Sequence, residues 1–309
     1  MKVLICDKTE ASALEAMRAA GIEVDNRPTI TPEELVRDAA QYDGMVVRSR
    51  TRVTKEVIDA APNLKIIVRG GVGLDNIDVR YAESKGIVVR NTPKASSDSV
   101  AELTIGYLLA LARKIPQASA SMAAGEWKKK ELEGTEIAGK TLGLIGLGNI
   151  GQAVARRAAA LGMKVIFYRR TPTEVPFARQ VSLDELLRES DYISLHVPKT
   201  AETTNLLNAE AFAKMKQGVY IVNCGRGGTL DEDALYDALV SGKVAGAALD
   251  VFADEKVNPG NARLFSLKDK NGFNLVIGSP HIGASTVEGQ GRVGAEVAEI
   301  LIDFYRQHL

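Results

Sequence analysis

The stretch from Gly139 to Gly162, GKTLGLIGLGNIGQAVARRAAALG, constrains the fold of this chain more than any other. Its apolar run Thr141 to Gly146 is short and bounded by glycine, which predicts a buried strand. The alanine-rich residues from Asn149 onward predict a helix that packs closely on a sheet. A strand, a glycine turn and a helix in this order indicate one unit of a parallel α/β sheet.

The glycine turn has the spacing G-x-G-x-x-G at Gly146, Gly148 and Gly151. The first glycine allows the tight turn, the second lets a pyrophosphate approach the backbone, and the third lets helix and strand pack closely. Phosphates then lie at the helix N-terminus, where free N–H groups and the helix dipole favour negative charge. The motif alone is a weak signal, but its place between a strand and a helix supports a dinucleotide site. We expect that site to comprise Gly146, Gly148, Asn149, Ile150 and Gly151.

Strand and helix patterns alternate along most of the 309 residues, which predicts two parallel-sheet domains. The first pattern ends in a polar, turn-forming stretch at Asn91 to Ser99. A long helical pattern from Ser99 to about Ala124 follows, and a last amphipathic pattern covers Thr286 to Tyr305.

Composition excludes several classes of protein. The 39 basic and 39 acidic residues balance, so we expect neither a nucleic-acid partner nor a membrane-surface partner. Cys6 and Cys224 form no metal or redox pattern, and we expect no metal and a reducing cytoplasm. The N-terminus lacks the features of a signal peptide. The most apolar stretch, Val100 to Ala112, contains Glu102 and is too short to span a bilayer, so we expect a buried helix.

Three later segments place reactive side chains after predicted strands, where ligands bind in open α/β sheets. They present Arg226, then Asp250 and Glu255, then His281. An arginine can bind a carboxylate in a bidentate way, and a histidine can exchange a proton with a carbonyl oxygen. A carboxylate beside that histidine favours its protonated form. Each side chain alone has an ordinary structural interpretation, but together they favour redox chemistry on a 2-oxo acid.

Four motifs, GLGNIG, NCGRGG, LDVFADE and SPHIGAST, resemble those of the D-2-hydroxyacid dehydrogenase family in their order. The segments VRSRT, GVGLDNID and SVAELT extend the resemblance over nearly the whole chain. Two of the segments, RSRT and HIGAST, resemble 3-phosphoglycerate dehydrogenases in particular.

The resemblance implies an α/β fold with two Rossmann-like or flavodoxin-like parallel-sheet domains and a cleft between them. Residues 1–97 with 286–309 would form the substrate domain, and residues 98–285 the dinucleotide-binding domain. In this family Arg226 would bind the substrate and polarise its carbonyl, His281 would be the acid/base, and Glu255 its partner.

Further contacts follow from the same resemblance. Asp250 would hold the nicotinamide end of the cofactor, and the Gly71 turn would offer the N–H groups of Val72 and Gly73 to the substrate carboxylate. The segment that carries His196 and Pro198 would lie against the cofactor, as would Cys224. We interpret His196 as a wall residue rather than a proton donor.

The chain departs from the pattern of NAD-preferring relatives after the second strand of the nucleotide domain. Arg169 stands where those relatives carry an aspartate that binds the adenosine ribose. Arg169, Arg170 and Thr171 would suit a 2′-phosphate, which favours NADP. In the alternative interpretation an arginine stacks on the adenine and NAD still binds.

The expected substrate pair is 3-phosphoglycerate and phosphohydroxypyruvate, with Arg48 and Arg50 near the phosphate. Lys128 to Lys130 of a neighbouring subunit are a second source of positive charge, although both clusters are also interpretable as solvated faces. An NADPH-dependent glyoxylate or hydroxypyruvate reductase is the alternative, and a nucleotide-sensing corepressor is a distant one. We expect no C-terminal regulatory domain, and we assign no role to the segment 256–272.

The family is usually dimeric, so we expect a homodimer. The long helix and Trp127 would form much of the interface. The competing interpretation of Trp127 is that it anchors a loop within its own chain.

Overall fold

The structure is a computed structural model that describes residues 1–255 and 259–308. The chain divides into unit 1, Met1–Ser97 with Ala284–Leu309, and unit 2, Asp98–Gly283. The first three residues of the segment 256–272 lie outside the described residues.

Unit 1 is built on a five-stranded sheet whose described strand pairings are all parallel. Its strands are β1 Lys2–Ile5, β2 Glu23–Asn26, β3 Gly44–Val47, β4 Ile66–Arg69 and β5 Val88–Asn91. Their order in the sheet is β2-β1-β3-β4-β5, the flavodoxin-like order. The central strands β1, β3 and β4 are almost wholly buried, since apolar clusters cover both faces of the sheet.

Helices cover both faces of this sheet. They are α1 Ala11–Ala19, α2 Pro32–Asp38, α3 Lys55–Asp59, α4 Val79–Ser84 and the C-terminal α12 Val287–His308. The start of α2 is a capping box, in which Thr31 accepts from the Glu34 N–H and the Glu34 carboxylate accepts from the Thr31 N–H. Along α12, Val293, Val297 and Leu301 recur at helical spacing and are buried with α1 in one cluster.

Unit 2 is built on a seven-stranded sheet, again with only parallel pairings among its described strands. The strands are β6 Thr141–Ile145, β7 Lys164–Tyr168, β8 Arg179–Gln180, β9 Tyr192–Leu195, β10 Val219–Asn223, β11 Val244–Leu249 and β12 Val276–Gly278. The order β12-β11-β10-β9-β6-β7-β8 is the Rossmann order with one added strand. The direction of winding reverses between β6 and β9, which is where such sheets bind ligands.

The helices of unit 2 flank this sheet. They are α5 Ser97–Arg113, which begins at the junction of the units, α6 Ile115–Ala123, α7 Asn149–Ala160, α8 Leu183–Glu189, α9 Ala209–Lys214, α10 Glu232–Val240 and α11 Pro259–Phe265. The predicted fold class, two parallel-sheet α/β domains, is confirmed.

The predicted single helix from Ser99 to about Ala124 is wrong, because α5 and α6 are separate. Lys114 between them has a left-handed backbone with φ of 50°. Pro116 has no N–H to donate to the Ala112 carbonyl, and its ring would clash with that carbonyl in a continuous helix. The Ala112 carbonyl instead accepts from the Thr135 N–H at 2.9 Å, so the break ties α5 to the loop that precedes β6.

Within residues 1–255 and 259–308, no helix is both long enough and apolar enough to cross a membrane.

Candidate active site

The glycine turn lies between β6 and α7 at the reversal of the unit 2 sheet. Gly146 has φ of 100°, and a Cβ there would lie 2.6 Å from the His196 carbonyl oxygen. A Cβ at Gly151 would lie 2.4 Å from the Gly146 carbonyl oxygen, so the helix could not pack this closely. By contrast, the exposed Gly148 has no heavy atom within 4 Å of its Cβ position. Open space beside a helix N-terminus fits a dinucleotide pyrophosphate.

Arg169 follows β7 and reaches back to this turn. Its Nη1 donates to the Leu147 carbonyl at 3.4 Å, which puts the guanidinium beside the glycine turn. Arg170 and Thr171 are exposed on the same segment. Positive charge therefore stands at the end of β7, where an acidic side chain would bind a ribose diol.

His196 follows β9, the strand on the other side of β6. Its Nε2 forms a 2.9 Å hydrogen bond with the Ser194 hydroxyl, and its buried Nδ1 has no hydrogen-bond partner among the described residues. Burial lowers the pKa of His196 to about 4, so the ring is neutral near pH 7. A neutral, enclosed ring suits a wall residue and is a poor source of protons.

Two other predicted cofactor contacts differ in burial. Pro198 is exposed, and its carbonyl accepts from the Thr203 hydroxyl at 2.6 Å. Cys224 is buried, and burial raises the pKa of its thiol to about 12. The thiol belongs to the hydrophobic core of unit 2.

Arg226 lies in a tight turn after β10, and Asn223 holds that turn. The Asn223 side chain accepts from the Gly225 N–H at 3.0 Å and donates to the Arg226 carbonyl at 3.2 Å. The Thr229 hydroxyl donates to the same carbonyl at 2.7 Å. These bonds fix the backbone that carries the guanidinium. This role of Asn223 was not predicted, although asparagine side chains commonly bond to the backbone two residues on in turns.

The segments that carry Arg226, Glu255 and His281 follow three neighbouring strands, β10, β11 and β12, whose last residues are paired with one another. Leu249 at the end of β11 is paired with Asn223 of β10 on one side and with Gly278 of β12 on the other. The turn of Arg226 also packs tightly on the segment after β11, since a Cβ at Gly227 would lie 1.7 Å from the Phe252 carbonyl oxygen. The topology therefore brings the three predicted catalytic residues to adjacent strand ends.

His281 and Glu255 are in direct contact, with 2.6 Å between His281 Nδ1 and Glu255 Oε1. Both side chains are partly exposed. The contact orients the imidazole and leaves Nε2 as the ring nitrogen that faces away from the carboxylate. A histidine held in this way can give or take a proton at Nε2.

Asp250 holds the backbone that carries His281. Its Oδ1 accepts from the Ser279 hydroxyl at 2.5 Å and from the Ile282 N–H at 2.8 Å, and its Oδ2 accepts from the Gly283 N–H at 2.8 Å. His281 itself has φ of 53°, which is uncommon for a residue with a side chain. The buried carboxylate thus stabilises a left-handed turn. In the described part of the chain, Oδ2 accepts only from the Gly283 N–H, which leaves an acceptor position for the predicted contact with a nicotinamide amide.

A tyrosine from α5 completes this network. The Tyr107 hydroxyl lies 2.5 Å from the Ser279 hydroxyl, whose own proton goes to Asp250. Burial raises the pKa of Tyr107 to about 12, so it remains a donor. No local pattern indicates this contact, because Tyr107 and Ser279 are 172 residues apart in the chain.

In unit 1 the predicted substrate-binding residues follow β3 and β4. Gly71 has φ of 139°, and its N–H donates to the Thr92 hydroxyl at 2.7 Å. The Val72 carbonyl accepts from the Asn91 side chain at 2.5 Å. Among the described residues, none accepts a hydrogen bond from the N–H of Val72 or Gly73. Two adjacent N–H donors on a fixed turn suit a carboxylate.

The two predicted phosphate contacts have different surroundings. Arg50 donates to Asp7 at 2.9 Å and to the carbonyls of Ile30, Pro28 and Cys6, which engages four of its five N–H donors. Arg48 is half-buried, donates to the side-chain oxygen of Gln290, and has its pKa lowered by burial. The structure therefore ties Arg50 into the scaffold of unit 1, a role that the sequence analysis did not foresee.

A family model described as "D-isomer specific 2-hydroxyacid dehydrogenase, NAD binding domain" matches residues 105–283. The match covers more than half of the chain and includes the glycine turn, Arg226 and His281. The chain belongs to the D-isomer-specific 2-hydroxyacid dehydrogenase family. The predicted family and the predicted nicotinamide cofactor class are thereby confirmed.

Relatives of the chain within this family act under different names. A hydroxypyruvate reductase from Thermotoga maritima is 54% identical over 270 residues, which cover 86% of each chain. A D-3-phosphoglycerate dehydrogenase from Methanocaldococcus jannaschii is 49% identical over 97% of this chain, but the match spans only 56% of that relative. A solved D-lactate dehydrogenase from Aquifex aeolicus, complexed with NAD and lactic acid, is 32% identical with a TM-score of 0.88, covering 99% of this chain and 96% of that one.

Proposed function

We propose that this chain interconverts a D-2-hydroxy acid and its 2-oxo acid, with 3-phosphoglycerate and phosphohydroxypyruvate as the substrate pair. The observation that carries the proposal is the 2.6 Å contact between His281 Nδ1 and Glu255 Oε1. It lies at the carboxyl ends of the parallel strands, as does the glycine turn. The nicotinamide cofactor, when bound, supplies or accepts the hydride.

The residues of the chain supply binding and proton transfer. In the reduction direction His281 gives the Nε2 proton to the carbonyl oxygen, and in the oxidation direction it takes the hydroxyl proton back. Glu255 holds the imidazole at Nδ1, and Arg226 binds the substrate and polarises its carbonyl oxygen. The N–H groups of Val72 and Gly73 bind the substrate carboxylate.

Two observations favour reduction of unphosphorylated acids as a second candidate. The scaffold contacts of Arg50 leave Arg48 as the remaining arginine of the predicted phosphate pair. The 54% identical relative from Thermotoga maritima bears the name hydroxypyruvate reductase. The phosphorylated substrate is favoured by the RSRT and HIGAST segments and by the 49% identical phosphoglycerate dehydrogenase.

A substrate panel tests the proposal. Purified protein is assayed with phosphohydroxypyruvate, hydroxypyruvate and glyoxylate, each with NADPH and with NADH. We expect the highest kcat/KM with phosphohydroxypyruvate, because a half-buried arginine gains most from a doubly charged phosphate. Turnover of the unphosphorylated acids alone would support the second candidate instead. Failure of all three would contradict both substrate candidates.

We infer further that NADP is preferred over NAD. Arg169 lies beside the glycine turn, and the exposed Arg170 and Thr171 follow it. Two guanidinium groups can bind a 2′-phosphate, whereas NAD-preferring relatives place a carboxylate at the first position. In the panel above, the KM for NADPH is expected to be lower than that for NADH, and a clear preference for NADH would overturn this inference.

A homodimer is also proposed, from an apolar surface at α6. Ile115 is 52% exposed, Met122 58% and Trp127 79%, so Trp127 does not anchor a loop within the described part of its own chain. Ile115 and Met122 are seven residues apart and so lie on one face of α6, and Trp127 follows the helix; exposed large apolar side chains of this kind are typical of an interaction surface. A second copy of the chain would bury them.

The dimer is tested by sedimentation. The wild-type protein is expected at the mass of two chains, against 33.2 kDa for one. Exchanging both Ile115 and Trp127 for glutamate is expected to give the single-chain mass, since a buried charge opposes association. Val240→Glu is the matched control, because Val240 is 62% exposed on α10, outside this surface. A wild-type monomer would contradict the proposal.

A further inference from the structure

The edge strand β8 lies beside the segment that follows β7. It has only two residues, Arg179 and Gln180, which pair in parallel with Ile166 and Phe167. The Val181 N–H donates to the Phe167 carbonyl at 2.9 Å. The segment Arg169–Thr173 directly follows β7 and therefore leaves the sheet beside this edge strand.

The side chain of Gln180 continues the contacts past this point. Its Nε2 donates to the Arg169 carbonyl at 2.9 Å and to the Thr171 carbonyl at 3.3 Å. Its Oε1 accepts from the Thr173 N–H at 2.8 Å. One half-buried amide thus binds three main-chain groups of a segment that is otherwise largely exposed.

These contacts use the two abilities of an amide, donation and acceptance, at one position. They fix the carbonyls on either side of Arg170, and hence the directions in which Arg169, Arg170 and Thr171 extend. The Thr173 hydroxyl adds a 3.2 Å bond to the Thr171 carbonyl within the segment. Among the described side chains that contact this segment, only Gln180 both donates to its carbonyls and accepts from one of its N–H groups.

We propose that Gln180 is a positioning residue for cofactor selection, holding the segment Arg169–Thr173 in the conformation that binds the 2′-phosphate of NADP. This inference rests on the proposed function and its cofactor preference. Arg169 and Arg170 supply the charge, and Gln180 supplies the order. A group held in place before binding loses less conformational freedom on binding, so affinity rises without a new contact to the ligand.

The test compares Gln180→Met with wild-type protein and with the matched control Gln217→Met. Methionine has a similar length and can replace none of the amide contacts. Gln217 also donates a side-chain bond to a carbonyl, that of Gly242 at 2.8 Å, but it lies in a surface turn before β10. NADPH and NADH are titrated separately by calorimetry in the absence of substrate, so the readout does not depend on turnover.

We expect Gln180→Met to raise the Kd for NADPH about tenfold and the Kd for NADH less than about threefold, which corresponds to the loss of one to two net hydrogen bonds. Gln217→Met is expected to match wild-type protein. In the protein without cofactor, amide exchange at Thr173 is expected to become fast in Gln180→Met only, since its N–H loses its acceptor.

The proposal would be overturned if Gln180→Met weakened the binding of NADPH and NADH equally, or left both affinities unchanged. If Gln180→Met melts far below wild type, Gln180→Leu carries the same comparison, because leucine likewise lacks the donor and the acceptor of the amide and adds no charge beside Arg169 and Arg170. A wild-type protein that binds neither cofactor would instead refute the proposed function. A wild-type protein that prefers NADH would refute the NADP inference and, with it, the selection role of Gln180, while exchange at Thr173 would still decide whether Gln180 orders the segment.

Discussion

Replacing His281 with glutamine is expected to lower kcat by about 10²- to 10⁴-fold, the usual contribution of a positioned acid or base. Glutamine can still form a hydrogen bond, but it cannot transfer a proton to the substrate oxygen. The effect is expected in kcat rather than in cofactor affinity, because the glycine turn follows β6 in the middle of the sheet, whereas His281 follows β12 at its edge. Steady-state assays in both directions, with calorimetric titration of NADPH, measure the two quantities.

The matched control is His308→Gln. His308 is exposed near the end of α12, where its Nδ1 contacts the Phe304 carbonyl and its ring stacks on Phe304. We expect this variant to keep wild-type kcat. Wild-type turnover by a folded His281→Gln protein would remove His281 from the mechanism. The contact with Glu255 would then be an ordinary surface ion pair of little consequence.

Replacing Arg226 with alanine is expected to lower kcat/KM by about 10³-fold, because loss of one charged donor at a developing oxyanion has an effect of this order. The turn itself should persist, because Asn223 and Thr229 bind the Arg226 main chain rather than its side chain. Arg226→Lys is expected to recover only part of the loss, since lysine keeps the charge but cannot form two parallel hydrogen bonds.

Arg188→Ala is the control for Arg226, since Arg188 is an exposed arginine on α8 of the same unit. Its kcat/KM is expected to equal that of wild-type protein. Added guanidinium ion should restore part of the activity of Arg226→Ala and none to the control, which distinguishes a missing charge from a distorted turn. An Arg226→Ala protein with undiminished kcat/KM would exclude Arg226 from substrate binding.

The sequence carries two opposing signals at the break between α5 and α6, an apolar periodicity and a proline. The apolar periodicity continues across Lys114, so it predicts one helix, whereas Pro116 carries the signal to stop. The freed carbonyl of Ala112 binds Thr135, a residue that local reasoning does not consider. Periodicity reports which side chains face a core, and it does not report whether the backbone is continuous.

Arg48 and Arg50 show the limit of local pattern in a functional prediction. Both lie just after β3, and the sequence offers no reason to distinguish them. Arg50 is bound by Asp7 of the neighbouring strand end, while Arg48 contacts Gln290 of α12. The partners lie tens to hundreds of residues away in the chain, so only the folded sheet decides which arginine is engaged in the scaffold.

The edge strand β8 was not predicted for a related reason. Two residues are too few to show an alternating pattern, and Gln180 has no motif around it. Its importance comes from three hydrogen bonds to a segment that precedes it in the chain.

By itself, the sequence determined the parallel α/β class, the family and the dinucleotide turn, because strand periodicity and glycine spacing act within a few residues. The tertiary structure decided the contact of His281 with Glu255, the hold of Asp250 on the turn of His281, and the engagement of Arg50. These contacts join residues that are distant in the chain. Which strand ends become neighbours is set by the packing of the buried sheet, and no local pattern encodes it.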